Sequence, residues 1–79
     1  VGDAPVQDRV KNRLREERLA RGWSQGDLAE RADASRQTIN AIEADKYDPS
    51  LPLAYRLAAL FELPVERLFF NPFVTGSGD

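Results

Sequence analysis

Four residues in one short stretch, Arg36, Gln37, Asn40 and Ala41, are side chains suited to the edges of nucleic-acid bases. Arginine donates two parallel hydrogen bonds to guanine, glutamine or asparagine pairs with both polar groups of adenine, and an alanine methyl fits against that of thymine. On a helix, at 100° per residue, Arg36, Gln37, Asn40, Ala41 and Ala44 fall within an arc of roughly 140°. Thr38, Ile39 and Ile42 point the other way. The first face carries no acid, whereas a face that only meets water more often carries Glu and Lys. A polar solvent face of good helix propensity is the plain alternative.

The elements that would hold these residues can be read from caps and periodicity. Ser35 caps a helix from Arg36 to about Ala44, and Ser24, with Asp27 three residues on, caps another from about Gln25 to Ala32. Leu28, Ala29 and Ala32 share one face of that earlier helix, and Asp33, Ala34 and Ser35 form a three-residue break. Two short helices so joined can place the second in the major groove while the first crosses the backbone, although small helical bundles also contain such pairs. Residues 9–21, rich in Arg, Glu, Leu and Ala, predict a preceding helix with Val10, Leu14 and Leu19 apolar and Gly22 as its stop.

After a loop over 45–50, Ser50 caps a helix from about Leu51 to Phe61, with Pro52 in its first turn and Leu53, Leu57, Ala58 and Phe61 inward. Leu63 and Pro64 break it, and a short fifth helix from Val65 to Phe69 presents Val65 and Leu68. No strand is needed, except near residues 69–74. The expected layout is therefore a lead-in over 1–8, one domain over 9–69 and a tail over 70–79.

Composition narrows the function classes. The 79 residues include neither cysteine nor histidine, which excludes a disulfide framework, the usual zinc finger and Cys- or His-based catalysis. The acids spread over solvated helix faces with no converging pair, so an enzyme is not expected. Nor do the residues call for a cofactor, a metal or a small-molecule ligand. No apolar run approaches the roughly 20 residues of a membrane span, and the expected location is the cytoplasm. Eleven Lys and Arg against 13 Asp and Glu give a net charge of −2, unusual for a nucleic-acid binder. The basic residues concentrate over 9–46, so any electrostatic footprint must come from that part.

Three segments in order, 21–29 (Arg21-Gly22-Trp23-Ser24-Gln25-Gly26-Asp27-Leu28-Ala29), 35–43 (Ser35 to Glu43) and 47–54 (Tyr47 to Ala54), resemble the Cro/repressor-type helix-turn-helix proteins, the XRE family, of the small single-domain kind. The resemblance runs from about Val10 to Phe69. It implies an all-α, five-helix, lambda-repressor-like fold and a sequence-specific transcriptional regulator of double-stranded DNA. It implies that Arg36, Gln37 and Ala41, with Asn40 beside them, meet bases. Gln25, Ser35, Thr38, Lys46 and Tyr47 would meet the DNA backbone, with Gln25 also buttressing the recognition helix. Arg18 and Glu43 match a family ion pair that ties the first helix to the end of the third. Trp23 matches a core or near-core position; stacking on a single strand is its alternative, and for Tyr47 that alternative is equally open.

The chain departs from the family where Asp33, Asp45 and Glu62 stand in place of the usual glycines, at helix ends that need a left-handed residue. A single domain makes few contacts, so a homodimer reading half-sites about 34 Å apart is expected. Phe69, Phe70, Phe73 and Val74 are the expected dimer contact, unless these aromatics fold back on their own core. A second reading is a protein-interaction module, such as an antitoxin or adaptor with weak DNA affinity, which the acidic balance and the missing glycines favour.

Overall fold

The computed structural model describes residues 10–73. The lead-in over 1–8 and Val74 lie outside them. A short strand β1 (Lys11–Asn12) is followed by α1 (Leu14–Ala20), α2 (Gln25–Ala32), α3 (Arg36–Glu43), α4 (Leu51–Leu60), α5 (Val65–Leu68) and a strand β2 (Phe69–Phe70). The fold is all-α with the five helices expected, and a minor antiparallel ribbon pairs Lys11 with Phe70 and Asn12 with Phe69. Among the described residues, no helix is long and apolar enough to cross a membrane.

The core explains the order of the helices. Leu14 of α1, Leu28 and Ala32 of α2, Ile39 and Ile42 of α3, Leu57 of α4 and Leu68 of α5 are fully enclosed, with Phe61 beside them. Packing runs from α2 onto α3 and α4, from α4 onto α5, and from α1 onto α3. Fully burying a side chain of this size is worth about 1.5–3 kcal/mol, so this cluster, rather than helix propensity, holds helices of four to ten residues.

The N-terminal end differs from the helix expected over 9–21. Residues 11 and 12 pair with β2 instead, the Arg13 N–H donates to the Leu68 carbonyl, and α1 begins only at Leu14. Asn12 makes the switch: its Oδ1 accepts the Leu14 N–H at 2.9 Å while its Nδ2 donates to the Ile42 carbonyl at 3.1 Å. A ribbon with a distant segment thus overrides strong local helix formers. The inward side of α1 differs as well, since Arg18 is buried and Leu19 is 56% exposed.

Four helices end alike. Gly22, Asp33, Asp45 and Glu62 all have positive φ, from 57° to 72°. The N–H groups of the residues that follow them, Trp23, Ala34, Lys46 and Leu63, donate back to the carbonyls of Arg18, Ala29, Ala41 and Ala58. These are Schellman ends, in which a left-handed residue turns the chain so that late carbonyls regain a donor. Only the first uses glycine. Side chains from other elements reinforce the remaining ends: Arg56 donates to the Ala32 carbonyl and Arg21 to that of Phe61, as Asn12 does to Ile42.

Candidate nucleic-acid interface

The local sequence fixes where α2 and α3 begin. The Ser24 hydroxyl accepts the Asp27 N–H while the Asp27 carboxylate accepts the Ser24 N–H, each at 2.9 Å. This reciprocal bonding, above all the bond from the Ser24 backbone, holds the Asp27 carboxyl below its usual pKa. At α3 the Ser35 hydroxyl accepts the Thr38 N–H at 3.0 Å and lies 2.9 Å from the Thr38 hydroxyl. Ser35 and Thr38 thus sit together at the N-terminus of α3, where unpaired amides favour an anion.

With Ile39 and Ile42 buried, the opposite face of α3 turns outward. Arg36, Gln37 and Asn40 are exposed and Ala41 is half-buried. A hollow of about 340 Å³ is lined by Gln25, Arg36, Gln37 and Asn40. A second, of about 230 Å³, is lined by Ser35, Gln37, Thr38, Ala41 and Tyr47. Gln37 borders both. Tyr47 therefore lies against the α3 face itself, beside Ala41. Lys46 is exposed after α3 and lines neither hollow.

Glu43 is the one acid on α3, and it is drawn off this face. Arg18 grips it with two bonds, Nε to Oε2 at 2.7 Å and Nη2 to Oε1 at 3.0 Å, with both side chains largely buried. A third arginine donor goes to the Trp23 carbonyl at 2.9 Å. The hydrogen bond to Glu43 pushes the Arg18 pKa further up. Glu43 Oε1 also accepts from Gln25 Nε2 at 3.1 Å, and Gln25 Oε1 faces Asn40 Nδ2 at 3.5 Å. An ion pair between α1 and α3, joined by Gln25 of α2, thereby touches the outward polar side chains.

Arg15 was missed in the sequence, where it belongs to a charge run that reads as a solvated helix face. It lines a hollow of about 300 Å³ with Arg18, Gln25, Asn40, Glu43 and Ala44. Its place three residues before Arg18, whose ion pair with Glu43 the family resemblance implies, was the available signal. Trp23 packs in the half-buried manner of a near-core residue. Its ring stacks on Phe61 at 5.6 Å between centroids, and the Arg31 guanidinium covers it at 4.4 Å. Trp23 lines none of the three hollows along α3.

The aromatic residues near the C-terminus divide. Phe69 is buried with the core, whereas Phe70 and Phe73 are 41% and 71% exposed. Phe70 and Phe73 border an apolar groove of about 340 Å³ together with Val10, Pro49, Leu51 and Pro72. This groove is lined by residues other than those of the polar face.

Comparison with known proteins places this arrangement. A helix-turn-helix family model matches residues 14–68. An uncharacterized HTH-type transcriptional regulator of Methanocaldococcus jannaschii is 47% identical over 60 residues, which cover 76% of this chain and 91% of that relative. The crystal structure of the restriction-modification controller protein C.AhdI from Aeromonas hydrophila aligns with a TM-score of 0.66 at 32% identity, over 71% of this chain and 85% of that one. A hypothetical transcription factor, NHTF, from Neisseria aligns with the same TM-score at 27% identity, over 75% and 68%.

Proposed function

The chain belongs to the XRE-type helix-turn-helix family, and from that premise we propose that it is a sequence-specific regulator of transcription that lays α3 in the major groove of double-stranded DNA as a homodimer. The observation that carries this reading is the outward face of α3, where Arg36, Gln37 and Asn40 stand exposed while Glu43 is held away by Arg18. Arg36, Gln37, Asn40 and Ala41 take the base contacts. Gln25, Ser35, Thr38, Lys46 and Tyr47 take the DNA backbone, joined by Arg15 from α1. The α2 N-terminus adds its partial positive charge at Gln25. A regulator of this kind acts where the chromosome lies, which in a cell without a nucleus is the cytoplasm.

With a net charge of −2, non-specific attraction is weak, and specificity depends on the direct contacts and on a second copy. The exposed Phe70 and Phe73, with Leu51 at 63% exposure, support the apolar groove as the homodimer contact. Val74 was expected there too, but it lies outside the described residues. Phe70→Ser with Phe73→Ser is expected to halve the mass measured by light scattering and to leave helical content unchanged. An unaltered mass removes this contact from the proposal.

Selection of bound duplexes from a random library, followed by a salt titration of the best duplex, tests DNA binding. A palindromic site whose affinity falls steeply with salt is expected. If no duplex binds at low salt, the chain is a protein-interaction module, and its acidic balance then becomes the leading clue.

A further inference from the structure

We infer that the buried Arg18–Glu43 pair, acting through Gln25, fixes which end of the Asn40 amide meets DNA and so selects adenine at that position. The inference rests on the proposed binding of DNA by α3. The two ends of an amide are nearly equal in shape, so only hydrogen bonding decides which way it points. Here the decision starts inside the protein. Both Glu43 oxygens accept from the Arg18 guanidinium, so the carboxylate meets its neighbours as an acceptor. Its Oε1 lies 3.1 Å from the Gln25 amide, so the Gln25 NH2 must face it.

Gln25 Oε1 is thereby turned toward Asn40, and an oxygen there is answered only by the Asn40 NH2, at 3.5 Å the longest link of the relay. Asn40 Oδ1 is then directed away from Gln25 on the exposed side of α3. It offers an acceptor with the remaining amide hydrogen beside it. Adenine, with a donor at N6 and an acceptor at N7, satisfies both. Cytosine supplies only the donor, and the oxygens of guanine and thymine oppose the Asn40 oxygen. Glu43 and Gln25 are positioning residues in this scheme. They specify a base through Asn40, and Gln25 keeps one N–H for a phosphate.

Two measurements test the relay, one without DNA. In the 15N-labelled free protein, one Gln25 side-chain amide proton is expected well downfield of its twin because the carboxylate holds it. Glu43→Gln should collapse that separation. Should Glu43→Gln fail to fold, the wild-type separation alone decides, and two protons near their free positions overturn the relay. On DNA, duplex selection is compared for the wild type, Asn40→Ala and Gln25→Ala, the last of which leaves the buried pair intact.

The wild type is expected to prefer adenine over guanine about tenfold at the position that Asn40→Ala makes indifferent. Gln25→Ala should reduce that preference about threefold or more, while preferences elsewhere stay within about twofold. A wild-type preference for guanine there, or a preference that Gln25→Ala leaves unchanged, overturns the inference with DNA binding intact. If no duplex is selected at all, the DNA-binding reading fails instead, and the Gln25 proton separation still decides the polarity of the amides.

Discussion

The two sides of this domain solve opposite problems with similar economy. On the α3 side, polar groups are exposed yet ordered from beneath by a charged pair that is itself enclosed. On the side of α4 and the ribbon, the packing is apolar from core to surface, and Phe70, Phe73 and Leu51 remain uncovered. The difference teaches where stability and recognition can be separated. Arg36, Gln37 and Asn40 are exposed, and Asn40 meets the buried pair only through Gln25, so they can vary with the DNA site at little cost to folding. Arg18 and Glu43 serve both purposes and cannot vary alone.

The largest effect that would break this separation is expected from Arg18→Met. It leaves the Glu43 carboxylate enclosed without its cation, and it should cost about 3–5 kcal/mol in denaturant unfolding. A loss below about 1 kcal/mol would mean that the pair is as dispensable as one on the surface. Arg36→Ala is expected to weaken binding to the selected duplex by about 1–3 kcal/mol and to relax base preference, with the denaturant midpoint unchanged. A matching fall in stability would make Arg36 part of the scaffold.

Smaller effects sharpen the comparison at the helix ends. Glu62→Gly should raise stability by about 0.5–1 kcal/mol, since φ of 58° strains a residue with a Cβ, and Gly22→Ala, at φ of 72°, should lower it by a similar amount. Equal signs in the two thermal melts would show that backbone strain is not what limits these ends. The smallest effect concerns Asp27. Its folded-state pKa is depressed, so its contribution is complete above the ordinary aspartate range and is lost as pH falls through the lowered value. Protection of the amides at the start of α2 against hydrogen exchange, relative to their intrinsic rates at each pH, should therefore fall slightly below about pH 4, while α4, capped by the Ser50 hydroxyl, should show no such change.

Much of the fold was legible because its signals are local. Ser24, Ser35 and Ser50 mark the starts of α2, α3 and α4, and the spacing of Ile39 and Ile42 already separates the two faces of α3. The left-handed ends at Asp33, Asp45 and Glu62 lie where glycine was missed in the sequence. The strand allowed near 69–74 is found as β2, but its partner was not legible, because Lys11 and Asn12 are ordinary helix-compatible positions until residues 69 and 70 come beside them. Nor was the exposure of Leu19 legible, since nothing local says that Arg18 will take the inward place on α1.

The candidate site divides in the same way. The sequence by itself determined most of the outward face of α3, because a 3.6-residue repeat and a buried stripe of Ile39 and Ile42 leave little other choice; Thr38, which the wheel sets with that stripe, is instead half-buried and borders the outward hollow beside Gln37 and Ala41. Tertiary structure alone decided how those side chains are held. Arg18, Gln25, Asn40 and Glu43 come from three helices, and the geometry of their hydrogen bonds exists only once Leu14, Leu28 and Ile42 have packed those helices together. The direction of an amide, unlike the direction of a side chain, is set by whichever partner the fold brings within about 3 Å.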